Sequence, residues 1–272
     1  MAMSTAIGFR QNINTAYVQF LQTAERKRRW SVFDDIPWSK LDSSLNSERK
    51  AVRIETFCAE ELYVPDYGSN GLALTRAIFG TAWFQMCWSY EEAKHGLAFR
   101  EYLLRSDLRT PAQIEALETS ICATPWNLPF PTTRQMACYG ALQESVTYLA
   151  YKAQKELAHD EGDEVLETIF SFIARDEAAH AGFYRTLIQL ELEEDRVGTL
   201  ADLGRVITQF KMPGDGLIPD YQARLRSSGA GISPRTFVEH ALLPTLKILK
   251  TNRGEVRAAQ KGPTSSAEIS ID

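Results

Sequence analysis

The chain has 272 residues, 44% hydrophobic and 24% charged, an ordinary balance for a globular protein with one large core. A formal net charge of −5 argues against nucleic acid as the main partner, and no apolar run is long enough to span a bilayer. The opening residues, Met1 to Asn12, lack the basic stretch and apolar core of a secretory signal, so the cytoplasm is the expected location. Cys58, Cys87, Cys122 and Cys138 show no C-x-x-C spacing and read as reduced core residues rather than zinc ligands or disulfides.

Apolar residues recurring at three- and four-residue spacings predict helices over 9–28, 44–63, 70–105, 111–121, 132–159, 163–194, 197–210 and 234–250. The first ends in a basic knot, Arg26, Lys27, Arg28 and Arg29, directly before Trp30. The second carries Glu60 and Glu61 near its end and is expected to close at the segment from Pro65 to Asn70. The third carries Glu91-Glu92-Ala93-Lys94-His95. A proline-rich stretch from Pro125 to Pro131 then separates two halves, and the next long helix carries Glu144. Its successor carries Asp176-Glu177-Ala178-Ala179-His180. No stretch alternates as a half-buried strand does, so the fold class is all-α. Residues 1–251 read as a single helical domain, and 252–272, polar and without periodicity, as a disordered tail.

The chemistry repeats between the halves. Glu61 to Glu92 spans 31 residues and Glu144 to Glu177 spans 33, so each half offers a lone Glu followed by Glu-x-x-His. Residues three apart on a helix share a face, so Glu92 with His95, and Glu177 with His180, can each turn an oxygen and a nitrogen to one ion. Four carboxylates and two imidazoles on four helices form the donor set of a two-metal site and suit iron or manganese better than zinc. One Glu-x-x-His is commonly surface decoration; two in register, embedded among apolar residues such as Trp88 and Phe172, are not. On the second helix, Ile54, Phe57, Cys58 and Glu61 share a face, which favours Glu61 over Glu60 as the inward residue. His159 and His240 lie outside the pattern.

At these residues the chain resembles the soluble acyl-acyl-carrier-protein desaturases, a branch of the ferritin-like di-iron superfamily. Trp88 to Gly96 (WSYEEAKHG) is similar to that family's W-T-A-E-E-N-R-H-G, Gln143 to Thr147 to its Q-E-R-A-T, and Asp176 to His180 to its D-E-K-R-H. Trp30 ahead of Phe33, Ile36 and Pro37, and Met212-Pro213 after Lys211, also resemble family landmarks. The resemblance implies a ferritin-like four-helix bundle with flanking helices. It implies that Glu61, Glu92, His95, Glu144, Glu177 and His180 bind two irons, the family's first ligand standing four residues before a proline as Glu61 does before Pro65. Thr147 would match the threonine beside the dioxygen site, with a hydroxyl bonded to its own helix as the plainer reading. Trp30, His95 and Asp176 would match the path by which electrons arrive, with core packing as the plainer reading of Trp30.

The implied activity is dioxygen-dependent desaturation of an acyl group on an acyl carrier protein, with a ferredoxin-type electron donor and a homodimeric assembly. The Arg26–Arg29 cluster suits an acidic carrier protein, and equally the C-terminus of a helix. Phe84, Trp88, Tyr148 and Phe172 are candidates for an acyl slot. A mixed manganese–iron centre would use the same donors, as would an oxygenase that hydroxylates an acyl group; an iron-storage protein is the remaining alternative. The sequence departs from the family pattern at Leu62, which follows the first ligand, and inside both Glu-x-x-His motifs, where Ala93-Lys94 and Ala178-Ala179 stand. These changes spare the donors and leave chain length and double-bond position open.

Overall fold

A computed structural model describes residues 2–261, and within them there is helix but no strand. Four helices form the central bundle: α2 (Glu48–Glu61), α4 (Phe79–Arg105), α6 (Thr133–Asp160) and α7 (Glu164–Glu194). Around them lie α1 (Ala2–Lys27), α3 (Val64–Thr75), α5 (Pro111–Ala123), α8 (Arg196–Gln209) and α9 (Tyr221–Ser228). The chain ends in α10 (Pro234–Thr236), a π-helical stretch (Phe237–Leu242), α11 (Leu243–Ile248) and α12 (Arg253–Lys261). α2 packs on α4 and α6 on α7, α4 joins the two pairs, and α1 lies across α4 and α7.

The caps explain where the bundle helices begin. Ser47 accepts from the Lys50 amide, Thr132 from Gln135 and Asp163 from Leu166, each satisfying a free N–H of a first turn. Between α6 and α7 the chain reverses in three residues. Gly162, at φ +74°, takes the left-handed conformation, while the Asp163 and Gly162 amides bond back to Ala158 and His159. Asp163 also accepts from Lys50 Nζ at 2.8 Å and from the Tyr102 hydroxyl at 2.6 Å, so one buried carboxylate ties α2, α4 and α7 at that end.

Each bundle helix contributes one aromatic ring to a common contact. Phe57, Phe99, Tyr151 and Phe170 are all buried, and all six of their pairwise centroid distances fall between 5.2 and 6.1 Å. A second apolar cluster around Phe84, Leu142, Phe183 and Ile188 occupies the other end. The stretches of α4, α6 and α7 that carry the acidic and histidine motifs lie between these clusters.

Three expectations need correction. The helix expected over 70–105 is two: α3 starts at Val64, and the break falls before α4, where Ile78 is extended at φ −130°, ψ 120°. Pro65 does not close a helix but sits in the first turn of α3, where its missing N–H costs nothing. Gly71 lets α3 approach α4 closely, since a Cβ there would lie 2.5 Å from Gln85 Cδ. The expected disordered tail from 252 contains α12, which packs on α8 with Val256 buried and Asn252 Oδ1 accepting from the Gly254 and Glu255 amides. One apolar anchor in nine residues leaves no periodicity to read, and residues 262–272 of that tail lie outside the described residues. The cysteines are free, but Cys122 is exposed and Cys87 only partly covered.

Replacing Phe170 by Ala removes the ring that meets three bundle helices, with an expected loss of about 3–5 kcal/mol in unfolding free energy, to be read by denaturant titration.

Candidate metal centre

Glu61 ends α2, Glu92 and His95 stand one turn apart in α4, Glu144 lies in α6, and Glu177 and His180 stand one turn apart in α7. All six are buried and converge. Glu61, Glu92, His95 and Glu177 each bring a donor atom within 4.8 Å of the others, and so do Glu92, Glu144, Glu177 and His180. Glu92 and Glu177 belong to both sets, so two cations held there would share two carboxylates. His95 Nδ1 lies 3.6 Å from Glu92 and 3.3 Å from Glu177, and His180 Nδ1 lies 3.0 Å from Glu92 and 3.6 Å from Glu144. Glu60 turns away, accepting the Tyr221 hydroxyl at 2.6 Å.

The donors fit a pair of metal ions on their own chemistry. Glu92 Oε1, His95 Nδ1, Glu144 Oε2, both Glu177 oxygens and His180 Nδ1 are buried without a hydrogen-bond partner. A buried charged group left so costs more than the roughly 1–3 kcal/mol of a neutral one, and a cation is the partner that removes the cost. Burial drives the Glu61 and Glu144 carboxyls well above the ordinary range, and the charges of Glu92 and Glu177 respectively add to the push. Against the opposing effect of burial, the surrounding carboxylates hold both imidazoles well above their usual value. A site in this condition gives up protons as it takes cations.

A second layer orients the donors. Trp88 Nε1 donates to Glu144 Oε1 at 2.9 Å, and the Tyr151 hydroxyl donates to Glu61. The outer imidazole nitrogens meet carboxylates from the opposite motif: His180 Nε2 lies 2.8 Å from Glu91, and His95 Nε2 lies 3.5 Å from Asp176. Each acid therefore sits just before the Glu of one Glu-x-x-His and serves the His of the other. Asp176 also accepts from Trp30 Nε1 at 2.7 Å, and these bonds hold its carboxyl below the ordinary range despite burial. Trp30 is buried and parallel to His95, centroids 6.3 Å apart, with Lys94 Nζ 4.4 Å above its ring. A shallow surface hollow formed with Glu25, Arg29, Asp35 and Tyr90 reaches it.

The basic knot is not the surface patch the sequence suggests. Arg28 is buried, bonding Asp176 at 2.5 Å and Glu91 at 3.3 Å, and Arg29 bonds Glu91 at 2.6 Å. Only Arg26 and Lys27 remain exposed, because α1 ends at Lys27 and the next two side chains turn under it toward the acids. The roles of Glu91, Arg28 and Arg29 were missed in the sequence, although Glu91 and Asp176 precede their motifs at the same offset.

Thr147, one turn beyond Glu144, bonds its own helix at Gln143 O, 3.1 Å, and also lines a cavity. That cavity, of about 80 Å³, reaches Glu61 and Glu92 between Trp88, Tyr67, Tyr139 and Met212. Of the candidate slot residues, Trp88 lines it and Phe84 lines a smaller space beyond; Tyr148 lines neither, and Phe172 stacks on Trp30 instead, 5.2 Å away.

Two lone-Glu helices and two Glu-x-x-His helices around a buried carboxylate cluster place the chain among the ferritin-like four-helix proteins. The solved structure of DesA2 from Mycobacterium tuberculosis H37Rv, described as an acyl-acyl-carrier-protein desaturase, has the same fold. It matches at a TM-score of 0.61 and 18% identity, covering 89% of this chain and 99% of that one. A family model described as fatty acid desaturase matches residues 69–227, more than half of the chain. The chain belongs to that family, the type 2 fatty acid desaturases that act as acyl-acyl-carrier-protein desaturases. DesA1 of Mycobacterium tuberculosis, named as such a desaturase, is 23% identical over 244 residues, 80% of this chain and 70% of its own length. Acyl-acyl-carrier-protein desaturase 4 of Oryza sativa is 29% identical over 157 residues, 56% of this chain and 38% of its own length.

Replacing Arg28 by Ala leaves Asp176 without its guanidinium and loosens both outer imidazole contacts. The expected result is a loss of about 3–5 kcal/mol in stability and a 10–100-fold weaker affinity for ferrous iron, read by melting and by metal titration.

Proposed function

We propose that this chain is a dioxygen-dependent desaturase of acyl groups carried on an acyl carrier protein, working through two iron ions held by Glu61, Glu92, His95, Glu144, Glu177 and His180. The observation that carries this reading is the pair of overlapping donor sets sharing Glu92 and Glu177. Bound there, a pair of irons supplies the redox chemistry that takes two hydrogens from adjacent methylenes. Dioxygen, with those two hydrogens, two external electrons and two protons, ends as two waters.

The chain's own residues supply position and exclusion of water. Asp176 and Glu91 fix the two imidazoles by their outer nitrogens. Trp30, beside both His95 and the surface hollow, lies on the proposed route from a ferredoxin-type donor. Thr147 stands on the cavity side, where dioxygen and substrate would meet the cluster. Arg26 and Lys27 remain for an acidic carrier, and no helix among the described residues is long and apolar enough to cross a membrane. A cytoplasmic homodimer is the assembly the family reading implies.

The test is mass spectrometry of a panel of acyl carrier protein substrates incubated with iron-loaded protein, oxygen and a ferredoxin reducing system. A loss of two mass units, falling to background in Glu144→Ala and His180→Ala, is expected. A gain of sixteen would transfer the same site to an oxygenase, and no change with two irons bound would sink the reading.

Metal analysis provides a second check, and separates iron from a manganese–iron pair. Glu177→Ala should lose both ions, because both sets use it, whereas Glu61→Ala should keep the one held by Glu92, Glu144, Glu177 and His180.

A further inference from the structure

The space beside the carboxylate cluster is more polar than a plain hydrocarbon chain would require. An outer cavity of about 380 Å³ and the inner one of about 80 Å³ meet at Glu60, Thr147, Tyr151 and Met212. Glu60 therefore stands in the neck through which a substrate must pass. Its carboxylate has about four acceptor positions, of which the Tyr221 hydroxyl takes one, leaving capacity toward the passage. Further in, the Tyr67 hydroxyl lines the inner cavity and is buried without any hydrogen-bond partner. Gln85 closes the inner end against Gly71, with its amide 3.4 Å from the Tyr67 carbonyl. Only beyond Gln85 does a space of about 70 Å³ become apolar, between Ile13, Leu74, Ile78 and Leu187.

Alkyl carbons pressed against Glu60 and Tyr67 would strip water from both groups and return no hydrogen bond. Pockets that enclose a whole ligand commonly run to about 300–1,000 Å³, far above either inner space, so only a few substrate atoms fit past the neck.

We propose that Glu60 and Tyr67 are specificity-determining residues that hold a hydroxyl or amide group of the substrate in this neck. The preferred acyl group is then short and polar, or short enough for the amide of its pantetheine arm to reach Glu60. This rests on the carrier-linked desaturase reading and narrows its substrate class.

Equilibrium binding to the iron-loaded protein tests it, using octadecanoyl, hexanoyl and 3-hydroxyhexanoyl groups on an acyl carrier protein. If the acyl hydroxyl is the ligand, 3-hydroxyhexanoyl binds about tenfold more tightly than hexanoyl, and Glu60→Leu or Tyr67→Phe erases the difference. If the arm is the ligand, both short groups bind alike, and Glu60→Leu weakens both by about tenfold. Tyr67→Phe removes a single oxygen, and iron content and melting temperature at the wild-type level show that each variant is folded. Octadecanoyl bound as tightly as the short groups, with neither variant changing any affinity, overturns the role assigned to Glu60 and Tyr67. Turnover followed in the same samples separates the two readings. A double bond in octadecanoyl with neutral variants removes only the neck assignment, whereas the binding preference without any double bond removes only the desaturase activity.

Discussion

Six ionisable side chains packed into the centre of a helical bundle set the condition that the rest of this structure meets. Four carboxylates cannot stay charged together in an apolar interior; protons or cations must neutralise them. The upward push on Glu61 and Glu144 is the signature of that crowding. Two divalent cations would balance four carboxylates within the inner layer. The outer layer balances itself, because Glu91 and Asp176 face Arg28 and Arg29. Charge is thus matched in two concentric shells, and neither shell depends on surface water.

Such a centre tolerates little movement, and the bundle is built to hold it. The aromatic quartet fixes the four helices to one another on one side of the cluster, and the Phe84–Phe183 stack, with centroids 3.9 Å apart, packs α4 on α7 on the other. Tyr151 belongs to both systems: its ring packs in the quartet while its hydroxyl bonds Glu61. Core packing and donor geometry are therefore coupled through one side chain, and a change in either is felt by both.

The donor set was legible in the sequence because a helix turns residue spacing into direction. Separations of three within each motif and 31 and 33 between lone Glu and Glu-x-x-His required four converging helices. What stayed hidden depended on tertiary contacts. A run of four basic residues reads as solvent-facing, since arginine is rarely buried unpaired; Arg28 is buried because two acids from distant helices are already there. Pro65 reads as a terminator until its place in a first turn is known. Glu60 and Glu61 differ by one position, about 100° around the helix, which sends one into the cluster and the other to Tyr221 in the neck.

The same angular step explains why the cluster has two distinct sides. On α4 and α7 the residue just before the ligand Glu points about 100° away from it, across to the other helix's imidazole. The two motifs repeat this relation, so both outer nitrogens face the end of α1, where Arg28, Arg29 and Trp30 close over them. No residue of α1 lines the inner cavity, whose walls come from α2, α3, α4, α6, α7 and the segments around Trp126 and Met212. One face of the cluster is thus sealed by paired charge and an aromatic ring, and the other opens on a narrow space. Electrons arriving through Trp30 and a substrate arriving past Glu60 would reach the same atoms from different directions, and neither route would have to open for the other to be used.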